Sequence, residues 1–203
     1  MISVLTSRWA EADRRDEPFP WAVTEPGWAF PEAATTELAA TFPNRSFTRR
    51  DTSARSTGKT YRNWSRPADP HTAPNALWAA LLTDLSAPAY RRQVAALLGQ
   101  PPAGGIELRF VHHAPGDWLD AHVDSADKLF SHIFYFADDW RPEWGGCLEL
   151  LRSADPLDVA VSIPPLTGRT VLMARTDDAW HQVTPVSADA AAGRSTLLVH
   201  GWR

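Results

Sequence analysis

LFSHIFYFA (129–137), CLELL (147–151), VAVSIPP (159–165), TVLMAR (170–175), HQVTPV (181–186) and STLLVHG (195–201) decide the fold. Each run is short and rich in β-branched, aromatic or aliphatic residues. Turn signals separate them at Gly145-Gly146, Thr167-Gly168 and Gly193. IELRFV (106–111) and a short piece at 119–123, divided by Pro115-Gly116, extend the series upstream. No helical periodicity lies between these strands. Short strands in that order imply a mainly β architecture, an antiparallel sandwich or barrel and most simply a jelly roll.

The first half reads differently. Pro31 opens PEAATTELAATF, a stretch of good helix propensity. Asn75 is placed to cap ALWAALLTDL, with Leu77, Leu81, Leu82 and Leu85 at helical spacing. Ser86 is placed to cap a second helix, APAYRRQVAALLG, with Pro88 in its first turn and Gly99 at its end. Between these helices lies NRSFTRRDTSARSTGKTYRNWS (44–65), with five Arg and one Lys. It reads as a surface loop or edge hairpin, or as a flap over a site, and the basic segment Arg49 to Arg66 is suited to bind an acidic or phosphorylated substrate. The expectation is one domain over 1–203. About 1–104 forms helical, loop-rich support, and about 105–203 forms the jelly-roll core.

The chain has 203 residues, enough for one domain. Lys and Arg number 20 against 24 Asp and Glu, a formal charge of −4. That balance gives no general attraction to nucleic acid or anionic membrane. No apolar run approaches the roughly 20 residues of a membrane span. One cysteine, Cys147, excludes an intramolecular disulfide and a Cys-rich zinc site. With no signal-peptide pattern at the N-terminus, a cytoplasmic protein is expected. Oligomeric state is not encoded in any pattern here.

The chemistry begins at His122-Val123-Asp124. In extended backbone, residues i and i+2 point the same way, so an imidazole and a carboxylate share one face. His181 opens a later strand and is the candidate third ligand. Two His and one carboxylate form the facial triad of non-haem Fe(II) oxygenases, which leaves open positions on the metal. Arg194 opens the last strand. A buried Arg near such a site calls for an anion, and a dicarboxylate co-substrate supplies one.

At these residues the chain resembles the Fe(II)- and 2-oxoglutarate-dependent dioxygenases of the prolyl-hydroxylase-like branch. The resemblance rests on PGDWLDAHVD (115–124), SHIFYFADDWRPEWGGCLELL (131–151), IPPLTGRTVLMARTDDAWHQVTPV (163–186) and GRSTLLV (193–199), in that order. It covers about residues 106–202 and implies a double-stranded β-helix, cupin-like, with N-terminal supporting helices. It implies Fe(II) on His122, Asp124 and His181, with 2-oxoglutarate and O2 as co-substrates. Arg194 matches the basic residue that pairs with the distal carboxylate of 2-oxoglutarate. Tyr135 matches a Tyr that bonds the same carboxylate in some members; a core Tyr is the other reading. Thr196 lies two residues after Arg194 and shares its face. An Asp at 124 favours hydroxylation or a related oxidation over halogenation, for which relatives carry a small residue there.

The substrate side is open. Where members often carry a Tyr before the Pro-Gly turn, this chain has His112-His113. Adjacent strand residues point oppositely, so at most one of the pair faces the site. His113, Arg109 and Trp118 are the substrate-contact candidates, Arg109 for an acidic group. Trp140, Trp144 and Trp180 also flank the motifs as candidate walls. His132 reads as a hydrogen-bonded core residue, and His200 faces either core or pocket. The leading expectation is an oxygenase hydroxylating a small molecule, such as an amino acid or biosynthetic intermediate. A prolyl or other protein-residue hydroxylase is the alternative within the class. A cupin-like metal sensor without turnover is the alternative outside it.

Overall fold

The structure is a computed structural model that describes residues 4–52, 59–137 and 139–203. Twelve strands form one curled antiparallel sheet. They are β1 (Arg14–Arg15), β2 (Trp21–Thr24), β3 (Thr48–Thr52), β4 (Tyr61–Pro67), β5 (Gly105–His113) and β6 (Trp118–His122). The rest are β7 (Lys128–Tyr135), β8 (Leu148–Leu151), β9 (Val159–Ile163), β10 (Thr170–Ala174), β11 (His181–Val183) and β12 (Arg194–Trp202). Their order across the sheet is β1-β2-β10-β7-β12-β5-β4-β6-β11-β8-β9, with β3 paired to β4. Among the described residues, three α-helices, α1 (Glu32–Ala40), α2 (Ala76–Ser86) and α3 (Pro88–Leu98), precede the main run of strands.

The first half is more than helical support. It contributes β1, β2 and the β3/β4 hairpin, with Thr48 opposite Ser65 and Thr52 opposite Tyr61. β4 is not an edge. Its Trp64–Pro67 end pairs with β5 and its Tyr61–Arg62 end pairs with β6, so it joins the two halves of the curl. The basic composition of 44–65 hides this, because one face of β4 serves a polar cavity rather than an apolar core. Residues 53–58, part of the 44–65 stretch read as a loop, hairpin or flap, lie outside the described residues.

The Asn75 side chain accepts the Trp78 N–H at 2.9 Å and starts α2. Trp78, Leu81, Leu82 and Leu85 then form its buried stripe. Ser86 does not cap α3. Its hydroxyl donates back to the Leu82 carbonyl at 2.7 Å within α2. The N-cap of α3 is Ala87, and Pro88 opens the helix where an N–H is not needed. Gly99 ends it at φ 67, the left-handed conformation that lets the Gln100 N–H reach the Ala95 carbonyl at 3.0 Å.

Strand alternation divides the sheet into two faces. Leu108, Phe110, Phe130, Phe134, Leu197 and Val199 face the helices and join Trp78, Leu85 and Val94 in the larger core. Trp78 meets Phe110 at 5.0 Å and Phe136 at 4.9 Å between ring centroids, both edge-on. Truncating so buried an aromatic costs about 3–5 kcal/mol. A second core, with Ile133, Leu148, Leu150, Val171 and Met173, fills the inside of the curl beside the cavity. No helix among the described residues is long and apolar enough to cross a membrane.

His132 is a core residue, as its apolar strand implies. Its Nδ1 lies 2.8 Å from Tyr90 Oη, and its Nε2 lies 3.0 Å from Thr170 Oγ1. Thr170 continues to Thr24 Oγ1 at 2.9 Å, tying α3 through β7 and β10 to β2.

Two expectations follow. Gly201 pairs with Phe130 across β12 and β7, and an added Cβ would overlap the Phe130 ring. Gly201→Ala is expected to destabilise the fold by about 1–3 kcal/mol in denaturant unfolding; an unchanged midpoint would contradict this packing. Burial lowers the His132 pKa to about 3. The unfolded chain therefore binds the extra proton first, and stability falls as pH drops from about 6.5 towards 3. The slope of melting temperature against pH in that window is expected to be shallower in His132→Gln than in the parent chain.

Candidate metal and anion site

The concave face of the sheet encloses a cavity of ≈ 340 Å³, within the range of small-ligand sites. His122 ends β6 and His181 begins β11, and the two residues are directly paired across these antiparallel strands. Their rings stand 4.2 Å apart between centroids. Asp124 follows two residues after His122, and one ligand atom from each of the three lies within 4.8 Å of the others. The pairing, not the sequence distance, makes the triad: strands that are remote in the chain become neighbours.

The donor chemistry fits a divalent iron. His122 Nδ1 lies 2.9 Å from the Asp120 carbonyl, and His181 Nδ1 lies 2.9 Å from the Ala179 carbonyl. A carbonyl only accepts, so both Nδ1 atoms carry the proton and both Nε2 lone pairs are left for a metal. Burial lowers both imidazole pKa values, keeping them neutral at neutral pH, as a ligand must be. Burial pushes the Asp124 carboxyl up, but His181, Lys128 and His122 together hold it well below the usual carboxylate range. Lys128 Nζ reaches Asp124 Oδ1 at 2.8 Å, and the Ser131 hydroxyl donates to Oδ2 at 2.7 Å. Ser131 Oγ also lies 3.0 Å from His200 Nδ1.

Arg194 lies at another part of the same cavity and is 2 % exposed. It donates to His113 Nδ1 and to Tyr135 Oη, each at 3.4 Å, and its Nε–H has no partner. None of the ion pairs among the described residues involves Arg194. A guanidinium in such a place is costly until an anion arrives. Tyr135, fully buried, accepts from Arg194 and keeps its own O–H to donate. Thr196 faces the cavity, but its hydroxyl is spent on the Val111 carbonyl at 3.2 Å.

The substrate candidates separate. His113 stands beside Arg194, at the anion end, with Nε2 unpartnered. Burial, then Arg194, then His112 push its pKa well below the usual value, so it accepts from Arg194 as a neutral ring. Arg109 lines the cavity, paired to Glu107. Trp118 does not line it. The β6–β11 register slips between His122 and Leu119, and this irregularity puts Leu119 on the cavity side with His122. Trp118 turns outward, under the Arg62 guanidinium at 4.8 Å. Trp140 and Trp144 pack edge-on against each other at 5.5 Å in a small separate core, and Trp180 is likewise absent from the cavity wall.

Sequence reasoning missed Lys128 and the contribution of Tyr61, Asn63 and Ser65 on β4, whereas Arg50 and Lys59, which also line the cavity, belong to the basic stretch it singled out. Alternation along 61–65 is a usable signal for the β4 residues. His200 shares the parity of Arg194 along β12, which places it on the cavity side. Lys128 reaches Asp124 from the far side of a turn and leaves no signal.

Residues 108–203 match the family model of the 2OG-Fe(II) oxygenase superfamily. A Pseudomonas putida prolyl 4-hydroxylase shares 19% identity over 90% of this chain and 92% of that one, with a TM-score of 0.67. A Trichoplax adhaerens prolyl hydroxylase, solved with a hypoxia inducible factor oxygen degradation domain peptide fragment, gives 0.71 at 15% identity, over 90% and 83%. SnoN, a non-heme alpha ketoglutarate dependent epimerase from nogalamycin biosynthesis, gives 0.62 at 14% identity, over 96% and 79%. These are likenesses of fold. No curated protein matches the sequence.

Removing one imidazole leaves a two-ligand site. His181→Ala is expected to weaken Fe(II) binding by at least about 100-fold in anaerobic titration calorimetry, with the far-ultraviolet circular dichroism unchanged. Undiminished stoichiometric binding by that variant would break the assignment of the triad.

Proposed function

We propose that this chain, which belongs to the 2OG-Fe(II) oxygenase superfamily, hydroxylates a C–H bond of a small molecule. One oxygen atom of O2 enters the substrate and the other enters succinate, as 2-oxoglutarate loses CO2. The observation that carries this reading is Arg194: a buried guanidinium with no carboxylate partner, in one cavity with the triad. A metal sensor has no use for such a clamp, so this residue weighs against the cupin-like alternative.

His122, Asp124 and His181 would hold the iron. Bound there with its co-substrate, the metal supplies the oxidising power that an amino-acid side chain lacks. The chain's own residues do the rest. Arg194 would hold the distal carboxylate of 2-oxoglutarate, and the Tyr135 O–H would donate to it. His113 accepts from Arg194 and fixes the plane of the fork. Ser131 and Lys128 fix the Asp124 carboxylate so that it meets the metal already oriented. Ile133, Leu148, Met173 and Leu198 line the cavity and keep bulk water from the reacting centre.

The small-molecule reading rests on a cavity bounded by β5, β12, β7 and β10 on one side and by β6, β11 and β8 on the other, with β4 joining the two. The protein-residue alternative draws on the prolyl hydroxylases among the fold neighbours. At those identities the likeness carries the fold and not the substrate.

Anaerobic addition of Fe(II) and then 2-oxoglutarate is expected to give a weak visible charge-transfer band that needs both. In Arg194→Ala the concentration of 2-oxoglutarate needed for half the band should rise by at least about tenfold, the loss of a charge-assisted pair. An unchanged requirement would place the clamp elsewhere.

A further inference from the structure

β5 presents Glu107, Arg109, Val111 and His113 to the cavity by simple alternation. At a position where a sandwich usually places an apolar side chain, it places a guanidinium. Arg109 is held there from two sides: it donates to Glu107 Oε1 at 2.9 Å and to Ser65 Oγ of β4 at 3.2 Å. A fork fixed in this way is pre-organised for a planar oxyanion. Lys59 and Arg50 line the same side, and Lys59 Nζ stands 6.0 Å from the Tyr61 ring. Beside Arg109 on the same sheet face the surface is apolar, with Leu198 of β12 directly paired to it and Ile133 of β7 next in register.

Among the described residues, cations outnumber carboxylates around the cavity: Arg50, Lys59, Arg109, Lys128 and Arg194 line it, against Glu107 and Asp124. Fe(II) adds two positive charges and 2-oxoglutarate two negative ones, so filling the metal and co-substrate positions leaves the excess as it was. A partly enclosed site with that excess favours an anionic occupant. Arg109 is also not a second part of the Arg194 clamp. Arg194 is paired with His113 and Leu198 with Arg109, which puts the two positions four residues apart along β5, about 13 Å by strand rise.

We propose that the substrate is a small molecule carrying an oxyanion group, a carboxylate or a phosphate ester, received by Arg109 beside Lys59 and Arg50. Its apolar part lies against Ile133 and Leu198. The inference rests on the oxygenase reading above and names the substrate class for it.

The test uses the full chain loaded anaerobically with Fe(II) and 2-oxoglutarate, and reads the shift of the charge-transfer band as a second ligand enters. The probes are pairs of like shape in which only one member holds an oxyanion: butanoate and butanamide, hexanoate and hexanamide, butyl phosphate and butanol. The anionic member of at least one pair is expected to shift the band with at least about tenfold tighter binding than its neutral partner. The acid–amide pairs report a carboxylate and the butyl phosphate pair a phosphate. Arg109→Gln is expected to bring the members of that pair within about threefold, and Arg109→Lys to keep the preference. Because the wild-type comparison stands alone, a misfolded variant would not rescue a negative result. Equal binding within every pair, no shift by any probe, or an anion that abolishes the band by displacing 2-oxoglutarate would overturn the inference. Failure of the band to form at all would instead remove the oxygenase reading beneath it.

Discussion

The sheet has to be dry on one face so that it can be wet and charged on the other. Its convex side is sealed by α1, α2 and α3 through Trp78, Leu81, Leu82, Leu85 and the aromatic residues of β5 and β7. That contact supplies the apolar burial a domain of this size needs. With the convex face settled, the concave face is released from the task of making a core. It carries two metal-ligand imidazoles, a carboxylate and a buried guanidinium, groups that a single-sided sheet has no means to bury without loss of stability. The second core, inside the curl, is correspondingly modest.

Within that concave face, orientation is fixed by the backbone before any ligand arrives. The carbonyls of Asp120 and Ala179, each two residues before a ligand histidine, hold the two Nδ1–H groups. The same local device is used twice, once on each of two strands that pair. It selects the tautomer and aims the rings, and β6–β11 pairing brings the rings together. Asp124 has no such backbone support, being past the end of β6. Its two oxygen atoms are held instead by Lys128 and Ser131 of β7, so the third ligand is tied to the opposite half of the curl. The metal position therefore depends on two halves of the sheet keeping their relation, and β4, paired to both, is the strand that keeps it.

The parts of this design that were readable in the sequence are those with a local rule. Strand alternation gave the runs from IELRFV to STLLVHG, and i, i+2 parity gave the shared face of His122 and Asp124. Parity also put Tyr135 with Ile133 and Ser131. Local rules failed where tertiary context overrode them. The β6–β11 register slip turned Trp118 outward, although simple alternation from His122 keeps it with the ligands. β4 was obscured because a strand facing a charged cavity lacks the apolar alternation by which strands are recognised. Ser86 is a plausible cap by residue type, yet its hydroxyl turned back to its own helix. Lys128 acquired its position through contacts between strands, and no spacing encodes it.

The pairing of Lys128 with Asp124 shows how the cavity tolerates its own charge. Without a metal, the Asp124 carboxylate would face neutral imidazoles, and Lys128 satisfies it at 2.8 Å. When a dication joins the carboxylate, part of that negative charge is taken, and Lys128 is left less well compensated beside His200. Glu107 plays the same part for Arg109. Each carboxylate of the cavity thus already has a cation, whereas Arg194 has none. Loading the metal raises the positive potential throughout the enclosed space, since the low dielectric screens little. In the proposed reaction this strengthens the hold of Arg194 on the dicarboxylate, so electrostatics favours the metal before the co-substrate, whose two negative charges then cancel the two the metal adds.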